Sequence, residues 1–367
     1  MKQPTYNRQL LEEAASADAS NFPSASGSLA WSCPSNIAMI KYWGKRPVQL
    51  PMNPSLSMTL DEARTITRVT YSFDPADASP SLRFSFEGRQ VPAFQNRVAQ
   101  TVTELSPYLP TLAHTTVEIE SRNTFPHSSG IASSASSMGA LALCLVQIDE
   151  MLRGGSGRSL PMKKVSFLAR LGSGSASRSM FGGFSLWGES VGWTGSSDEY
   201  ALPVDHFHES FKETRDTILV VESGAKKVSS SVGHGMMDKN PFASARFGQA
   251  RENLQVLRSA LEEGDWTRFI ELMEEEALSL HAMMLCSRPG YLLMQPGTVA
   301  IIKKVRQFRK ETGSPVGFTL DAGANVHLIY PGEGEKKIHG FITAELLPHC
   351  EQNRTIRDRM GKGPEKI

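Results

Sequence analysis

Residues 36–45 of the chain read Asn-Ile-Ala-Met-Ile-Lys-Tyr-Trp-Gly-Lys. An apolar run ends there in two lysines, Lys41 and Lys45, and a segment rich in Gly, Pro and Asn follows. Lysines beside aromatic residues are usually surface residues, because their stems pack while their ammonium groups stay in water. Here the change from apolar residues to Gly, Pro and Asn predicts that the chain leaves a hydrophobic core at this point. The two lysines then lie where the chain leaves the core. That arrangement suits an anionic ligand, although a purely structural role for so short a motif stays open.

The composition limits the class of protein and the kind of partner. A chain of 367 residues favours two domains or one large bilobed unit. Its formal net charge of +1 argues against a protein that coats nucleic acid, so we expect no nucleic-acid partner and only a local cationic site. The four cysteines lie far apart without a CxxC pair. This spacing excludes the usual zinc sites and predicts a reducing, cytoplasmic location.

The chain is expected to have two domains after a short extension, and no membrane partner. No run approaches the roughly 18 continuous apolar residues of a membrane-spanning helix. Residues 1–28 are rich in Ser and Ala and lack the apolar segment of a secretory signal, so we interpret them as a loosely ordered extension. A polar, weakly patterned stretch at 188–212 places the boundary between an N-terminal domain (29–200) and a C-terminal domain (201–367).

Hydrophobic periodicity predicts a mixed set of strands and helices. The predicted strands cover residues 64–71, 82–86, 116–120, 184–187, 217–222, 316–320 and 326–330. The predicted helices cover residues 94–105, 132–152, 165–171, 243–261, 266–280 and 299–312, and a short helix follows the last strand. Because there is no regular βαβ alternation, this order favours an α+β sandwich over a doubly wound sheet.

A candidate phosphate-binding loop precedes the long predicted helix. Residues 126–135 read Pro-His-Ser-Ser-Gly-Ile-Ala-Ser-Ser-Ala. A helix N-terminus exposes unpaired N–H groups and the positive end of the helix dipole, which suits a triphosphate. Gly130 permits close approach of the backbone, and Ser133 or Ser134 can offer a hydroxyl to phosphate or Mg²⁺. The same serines can simply cap the helix, so this interpretation also stays open.

Two further segments carry residue types that suit an anionic substrate. Residues 172–179 read Gly-Ser-Gly-Ser-Ala-Ser-Arg-Ser, and an arginine fork among hydroxyls suits a phosphate or diphosphate. A flexible linker is disfavoured, because an apolar helix precedes the segment and Phe-Gly-Gly-Phe follows it. Asp321 ends an apolar strand and begins Asp-Ala-Gly-Ala-Asn. Its carboxylate either caps a turn or faces a substrate hydroxyl, and the sequence leaves these two roles balanced.

Four of these segments, taken in order, carry a resemblance to a known family: residues 36–45, 126–135, 172–179 and 321–325. They resemble the GHMP small-molecule kinases and, within them, the mevalonate diphosphate decarboxylases, over about residues 32–330. The resemblance implies an α+β, two-domain GHMP-kinase fold. It comprises an N-terminal ribosomal-protein-S5-like domain that binds ATP and a C-terminal ferredoxin-like α/β sandwich. It also implies ATP and Mg²⁺ as cofactors, a small-molecule substrate and a homodimer.

The resemblance also assigns site residues by position. Asp321 is implied as the catalytic group at a tertiary hydroxyl, with Lys41 beside it and the substrate carboxylate. The residues implied to hold a diphosphate are Tyr42, Lys45, Ser173, Ser175 and Arg178. Further substrate-binding positions are Asn36, Trp43, Gly44, Arg97, Gly174, Ala176, Ser177 and Ser231. Nucleotide-binding positions are Ser128, Ser129, Gly130, Ser133 and Ser134, with Ser133 also a candidate contact to Mg²⁺ through ATP.

The reaction implied by the resemblance is ATP-dependent decarboxylation of mevalonate 5-diphosphate to isopentenyl diphosphate, ADP, phosphate and CO₂, a step of the mevalonate pathway of isoprenoid biosynthesis. A positioned carboxylate has a clear role there, because tertiary alcohols are poor acids and poor nucleophiles. Three alternatives remain. They are a decarboxylase of the monophosphate, a GHMP kinase that stops at phosphorylation, and a non-catalytic binding protein. The last is disfavoured because Asp321 and Gly130 are both retained.

Overall fold

The computed structural model describes residues 5–125, 131–224 and 230–367, without the side chains of residues 230 and 231. Its helices are α1 (Tyr6–Ala15), α2 (Pro92–Leu105), α3 (Ser133–Leu152), α4 (Met162–Gly172), α5 (Ser230–Gly235), α6 (Ala243–Glu263), α7 (Trp266–Leu285), α8 (Pro296–Thr312) and α9 (Glu335–Phe341). Its strands are β1 (Ala25–Ile40), β2 (Lys45–Arg46), β3 (Leu50–Pro51), β4 (Ser55–Phe73), β5 (Leu82–Phe86), β6 (Thr115–Asn123), β7 (Phe184–Trp187), β8 (Ala201–Pro203), β9 (Thr214–Leu219), β10 (Gly317–Thr319), β11 (Val326–Pro331), β12 (Thr355–Arg359) and β13 (Glu365–Lys366).

The first sheet is built around two long strands. Within the described residues it has seven strands in the order β13-β1-β4-β6-β5, and β7 pairs with both β4 and β8. The strands β1 and β4 are antiparallel, with register shifts between Pro34 and Asn36 and between Ala38 and Ile40. Bulges bend a strand and redirect its side chains. These two therefore set the direction of the chain where the 36–45 stretch leaves the sheet.

The second sheet has the order β10-β11-β9-β12 among the described strands, and every pair in it is antiparallel. A cluster of buried apolar side chains joins the two halves of the molecule. It includes Met39 and Leu56 from the first sheet, Leu257 from α6 and Ile329 from β11. Burial of apolar surface is the main stabilising term in folding, so this shared core fixes the two halves against one another.

The helix α3 forms the centre of the first half. In the described part of the chain it is the one helix long and apolar enough to cross a membrane by length and composition, and 83% of its apolar window is buried inside the protein. Core helices of globular proteins pass the same test, so this helix is weak evidence for a membrane span. The expectation of no membrane partner stays a prediction.

The predicted α+β class is confirmed, and each predicted strand and helix overlaps an observed one. The strands are often longer than predicted: residues 64–71 lie inside β4, for example. The strand β1 was not predicted, because much of it is buried on both faces and its sequence lacks the alternating pattern of a half-buried strand. The strand β12 and the short helix α5 were also missed.

Residues 1–28 were expected to be a loosely ordered extension, but the structure has the helix α1 within them. The Thr5 hydroxyl accepts a hydrogen bond from the Arg8 N–H and caps the helix. Leu10 and Ala14 are buried, and the Tyr6 ring packs on Phe167 at 5.8 Å between centroids. These contacts reach distant parts of the chain, so local composition could not indicate them.

The observed sheets also differ from the predicted boundary after residue 200. Residues 201–203 were assigned to the second domain, but as β8 they pair with β7 in the first sheet. The C-terminal strand β13 pairs with β1, which returns the end of the chain to the first half. The sheets are therefore not separated by one cut in the sequence.

Candidate active site

A cavity of about 590 Å³ is lined by residues of both halves of the molecule. It gathers most of the residues that the sequence singled out, although they are spread over nearly the whole chain. The predicted residues that line it are Asn36, Lys41, Tyr42, Trp43, Lys45, Arg97, Ser133, Ser134, Ser173, Gly174, Ser175, Arg178 and Asp321.

An ion pair between Lys41 and Asp321 joins the two halves at this cavity. The Lys41 Nζ lies 3.0 Å from Asp321 Oδ1. The lysine side chain is 1% exposed and the aspartate side chain 26% exposed, so the carboxylate is the more accessible partner. Burial lowers the pKa of Lys41, and the negative charges of Asp321 and Glu276 oppose that shift. The pair places a cation and a carboxylate side by side on the cavity wall.

The backbone of Lys41 is held by buried polar residues. Its N–H donates to Glu276 Oε2 at 2.8 Å, and its C=O accepts from Asn53 Nδ2 at 2.9 Å. Glu276 is itself held by Arg246 and by Asn253 Nδ2, which lies 2.9 Å from Glu276 Oε1. Buried charges need such partners, because an unpaired one is strongly destabilising. Helices α6 and α7 of the second half therefore position a lysine of the first half.

A neutral histidine positions the turn that carries Asp321. The Asp321 C=O accepts from the Gly323 N–H at 2.7 Å and from His281 Nε2 at 3.1 Å. Burial lowers the pKa of His281 to about 4, so its ring is neutral near pH 7. The turn is thus closed by the main-chain carbonyl, while the carboxylate faces Lys41. This geometry favours the substrate-facing role of Asp321 over the turn-capping role.

Arg178 brings a buried guanidinium to the cavity wall. Its Nε lies 2.5 Å from Ser57 Oγ, one terminal nitrogen lies 2.6 Å from Ser55 Oγ, and its guanidinium carbon lies 5.7 Å from the centre of the Trp187 ring. Burial lowers its pKa to about 10, with Asp321 opposing the shift. No carboxylate among the described residues forms an ion pair with it within 4.0 Å, which leaves the site suited to a bound anion.

Lys45 and Arg97 add positive charge nearby. Lys45 Nζ donates to Gln49 Oε1 at 3.1 Å, and a terminal nitrogen of Arg97 donates to the Gly172 C=O. Burial and the charge of Arg97 both lower the pKa of Lys45. Cations that destabilise one another in this way bind a multivalent anion favourably.

The two serine-rich segments meet at the cavity. Ser173 Oγ lies 3.4 Å from Ser134 Oγ, at the start of α3, and 3.4 Å from Ser175 Oγ. The N-cap residue of α3 is Ala132, in a left-handed conformation (φ 30°, ψ 42°), and it makes no side-chain capping bond. The alternative role of Ser133 and Ser134 as N-cap residues is therefore not observed. Ala132, Ser133 and Ser134, at the start of α3, line the cavity.

The other part of the cavity is apolar and was not predicted. Phe84 and Phe86 of β5 and Phe94 of α2 line it, together with Ser121 and Asn123 of β6. Ligand sites commonly combine apolar walls with a few polar groups that fix orientation. One cavity thus has a cationic end and an aromatic end.

Two family profiles match the chain. The profile described as diphosphomevalonate decarboxylase-like N-terminal domain matches residues 33–201, and that described as mevalonate 5-diphosphate decarboxylase C-terminal domain matches residues 217–365. The chain belongs to the diphosphomevalonate decarboxylase family. The family assigned from the sequence is therefore confirmed, as is an enzyme of this type.

Relatives and solved structures of the family match nearly the whole chain. The diphosphomevalonate decarboxylase of Candida albicans is 30% identical over 361 residues, which cover 91% of this chain and 96% of that protein. The one from Saccharomyces cerevisiae is 32% identical over 329 residues, covering 84% and 79%. The structure of mevalonate diphosphate decarboxylase from Staphylococcus aureus has a TM-score of 0.81 at 31% identity and covers 94% of this chain and 98% of that chain. MDDEF in complex with MVAPP, AMPPCP and magnesium has a TM-score of 0.79 at 31% identity, covering 94% and 99%.

These comparisons confirm the predicted two-domain fold of the family. Some predicted site residues nevertheless do not line the cavity. Ala176 and Ser177 are fully buried, and Ser177 Oγ donates to the Gly174 C=O at 2.8 Å, so both residues shape the loop from behind. Gly44 contributes a backbone N–H to His234 instead of lining the wall. Asn36 lines it and also donates to the Ser175 C=O at 3.1 Å.

Four predicted positions lie wholly or partly outside the described part of the chain. Ser128, Ser129 and Gly130 lie outside the described residues, and the side chain of Ser231 does as well. Sequence reasoning also missed three residues of the site, which are Glu276, His281 and His234. Glu276 and His281 lie on α7, whose sequence suggests ordinary packing, and His234 lies on α5, which was not predicted. The contacts that bring them to the site span at least 40 residues of sequence, so no local signal indicates them.

Proposed function

We propose that this family member catalyses ATP-dependent decarboxylation of mevalonate 5-diphosphate, forming isopentenyl diphosphate, ADP, phosphate and CO₂. The observation that carries this proposal is the Lys41–Asp321 pair beside a cluster of cations in one cavity. A kinase alone needs alignment and charge neutralisation for phosphoryl transfer. A decarboxylase must also hold the substrate carboxylate next to the reacting hydroxyl, and the charge of Lys41 beside Asp321 supports that role for it.

Asp321 and Lys41 have separate roles in the proposed reaction. Asp321 accepts a hydrogen bond from the tertiary hydroxyl and takes its proton as the oxygen bonds to the γ-phosphorus, while the bond to the ADP oxygen breaks. The C–O bond to the new phosphate then breaks, and the electrons of the C–C bond to the carboxylate form the alkene as CO₂ leaves. Lys41 orients that carboxylate and holds the Asp321 side chain in place through their ion pair.

The cationic end of the cavity is proposed to hold the diphosphate of the substrate. Arg178, Lys45, Ser173 and Ser175 provide charge and hydroxyl donors there. Hydrogen bonds between charged groups are shorter and stronger than neutral ones, and a guanidinium binds phosphate oxygens in a fixed geometry. These residues bind and orient the substrate, so that its hydroxyl is held against Asp321.

ATP and Mg²⁺ are the proposed cofactors, and the residues present fit them. The uncapped first turn of α3, with Ser133 and Ser134, suits the phosphates. The aromatic end, with Phe84 and Phe94, is the proposed adenine site, where Ser121 and Asn123 can fix the base. No group of three acidic, His or Cys side chains in the described ranges could hold a metal ion alone. Mg²⁺ is therefore expected to bind through the phosphates with a hydroxyl such as that of Ser133, where it neutralises their charge.

The test is a product balance from purified protein with ATP, Mg²⁺ and each mevalonate derivative. We expect ADP, phosphate and CO₂ in equal amounts from mevalonate 5-diphosphate. ADP without CO₂ would contradict the decarboxylase function and leave a kinase. CO₂ from the 5-monophosphate alone would assign the reaction to the monophosphate.

We also propose a cytoplasmic homodimer that binds neither nucleic acid nor membranes. All four cysteines are free, and Cys33, Cys144 and Cys350 are buried, which suits a reducing compartment. The near-neutral net charge supports the absence of a nucleic-acid partner. Light scattering coupled to size-exclusion chromatography measures the oligomeric state, and a mass of 40.2 kDa would contradict the dimer.

A further inference from the structure

His234 is placed at the cavity by the helix α5. Its ring packs against Tyr42, with centroids 4.3 Å apart, and against Trp43, with centroids 4.5 Å apart. The preceding residue, Gly233, allows this approach, because an added Cβ would lie 2.6 Å from the Trp43 ring. His234 is 7% exposed and lines the cavity. The helix thus sets an imidazole directly against the Tyr-Trp-Gly segment.

The hydrogen bonding of His234 defines its protonation state. Its Nδ1 accepts from the Gly44 N–H at 3.0 Å, so Nδ1 carries no hydrogen. Burial, Lys45 and Arg178 together lower the pKa of the ring to about 3, so the ring is neutral near pH 7. A neutral imidazole with an acceptor at Nδ1 must carry its hydrogen at Nε2.

His234 lines the cavity, its Nδ1 is bonded to the Gly44 backbone, and two aromatic rings pack against it, so Nε2 is the polar atom of the ring that remains for a ligand. Nε2 makes no hydrogen bond to another residue of the described ranges, although the ring is nearly buried. Lys45 and Arg178 lie close enough to affect its charge. A fixed, neutral N–H donor beside two cations matches a phosphoryl oxygen, which accepts several hydrogen bonds.

We propose that His234 is a substrate-binding residue that donates its Nε2 hydrogen to a phosphoryl oxygen of the substrate, and that the Gly44 N–H holds it in this tautomer. This inference rests on the proposed function, since it deepens the description of the same anion site. It adds a neutral donor to the cations and hydroxyls assigned from the sequence. It also explains how Gly44 contributes to the site, because its backbone orients a side chain that contacts the substrate.

Two variants separate this role from simple packing. In His234→Asn, the amide can take the place of Nδ1 and accept from Gly44, but it does not reach the position of Nε2. In His234→Gln, the amide N–H₂ reaches the position of Nε2, but the bond from Gly44 is lost. We expect the Asn variant to raise the KM for mevalonate 5-diphosphate about ten-fold, as for loss of a hydrogen bond to a charged group. The ATP KM and the kcat should change less than about two-fold.

The Gln variant should recover most of the substrate affinity, to within about three-fold of the wild type. Binding of inorganic pyrophosphate, measured by calorimetry, should weaken in the Asn variant by a factor similar to that of the KM. Unchanged substrate KM and pyrophosphate binding in the Asn variant would overturn the proposal. Loss of affinity in the Gln variant alone would also overturn it, because the histidine would then serve only as an acceptor for Gly44.

A measurement on the wild-type protein keeps the proposal testable if the variants do not fold. Long-range ¹H–¹⁵N spectra of ¹⁵N-histidine protein should show the Nε2-protonated tautomer of His234 at pH 7, with an Nε2 shift on addition of pyrophosphate. An Nδ1-protonated or doubly protonated ring, or no shift with saturating pyrophosphate, would overturn it. The proposed function fails separately, if the wild type binds pyrophosphate but releases no CO₂ from mevalonate 5-diphosphate.

Discussion

At the scale of single residues, the ion pair between Lys41 and Asp321 makes each side chain depend on the other. Lys41 is almost fully buried, and Asp321 is the charge that most opposes the effect of burial on its pKa. Removing the carboxylate therefore leaves a buried cation with a still lower pKa. A change at Asp321 alters both the acceptor of the hydroxyl proton and the charge that orients the substrate carboxylate.

We expect Asp321→Asn to lower kcat by about 10²–10⁴, because the amide keeps the shape but cannot accept the hydroxyl proton. Nucleotide affinity should barely change, since the residues proposed to bind the phosphates of ATP are Ser133 and Ser134 at the start of α3. ADP and CO₂ formation should fall together, and Lys41→Met should reduce both as well. Asp61→Asn, which removes an aspartate paired with Arg359 outside the cavity, is the control and should leave turnover intact. Near-normal turnover of a folded Asp321→Asn protein would reduce Asp321 to a structural residue.

Arg178→Lys tests the anion site. Lysine keeps the charge but loses the fork that spans Ser55 and Ser57, so the substrate KM should rise about ten-fold or more while the ATP KM stays within about two-fold. Steady-state kinetics with each substrate varied in turn give both values. Arg258→Lys is a matched control, because Arg258 also lies over a tryptophan ring, at 5.1 Å, but on the surface. A rise in the ATP KM instead would mean that the two phosphate sites have been exchanged.

At the scale of elements, the segment after β1 depends on backbone conformation as much as on side chains. Gly44 has φ +92°, and an added Cβ would lie 2.9 Å from the Phe247 ring. Its N–H also orients His234. The turn therefore holds α5 and α6 in position relative to the end of β1.

We expect Gly44→Ala to lower both stability and substrate affinity. The positive φ costs about 1 kcal/mol with any other residue, and the contact with Phe247 adds to it by moving α6. Gly154→Ala is the matched control, because Gly154 has φ +84° with open space around its Cα. The Gly154→Ala variant should therefore show only the cost of the positive φ, without a steric contact. Thermal unfolding and substrate KM measured on both variants should show a smaller loss of stability and no change of KM for Gly154→Ala. Equal effects would exclude a role for the packing around Gly44.

At the scale of the whole molecule, the two halves share a core, and Asp358 adds a polar link between them. The carboxylate of Asp358, on β12, accepts hydrogen bonds from the N–H groups of Asp61, Glu62 and Ala63 on β4 at 2.8–2.9 Å. Cooperative unfolding is expected where buried contacts cross between sheets in this way.

The chain should therefore unfold in a single calorimetric transition. Leu257→Ala, at a fully buried position of the shared core, should destabilise the protein by about 2–5 kcal/mol and move that transition as a whole. Leu292→Ala, at a side chain that is 61% exposed, is the control and should change stability by less than about 0.5 kcal/mol. Two resolved transitions, with only one of them shifted by Leu257→Ala, would show that the halves fold independently.

The sequence predicted the chemical groups of the site better than the structure that holds them. Lys41 and Asp321 lie 280 positions apart, and the resemblance to a family brought them together before any fold was known. Glu276 and His234 were missed, because their contacts form only when the second half packs on the first. Periodicity gave the strands and helices their approximate positions, but it failed for β1, whose inner residues are buried on both faces.

The buried cations of the cavity have a consequence for the evolution of such chains. Burial lowers the pKa of Lys45 and Arg178, and neither pairs with a carboxylate among the described residues, so these two cations destabilise the fold in a way that apolar replacements would relieve. After a gene duplication, a copy released from making product would therefore lose these residues sooner than the apolar residues of α3. Inactive descendants of this chain should be recognisable by uncharged side chains at these two positions, and they should withstand more heat than their active parent.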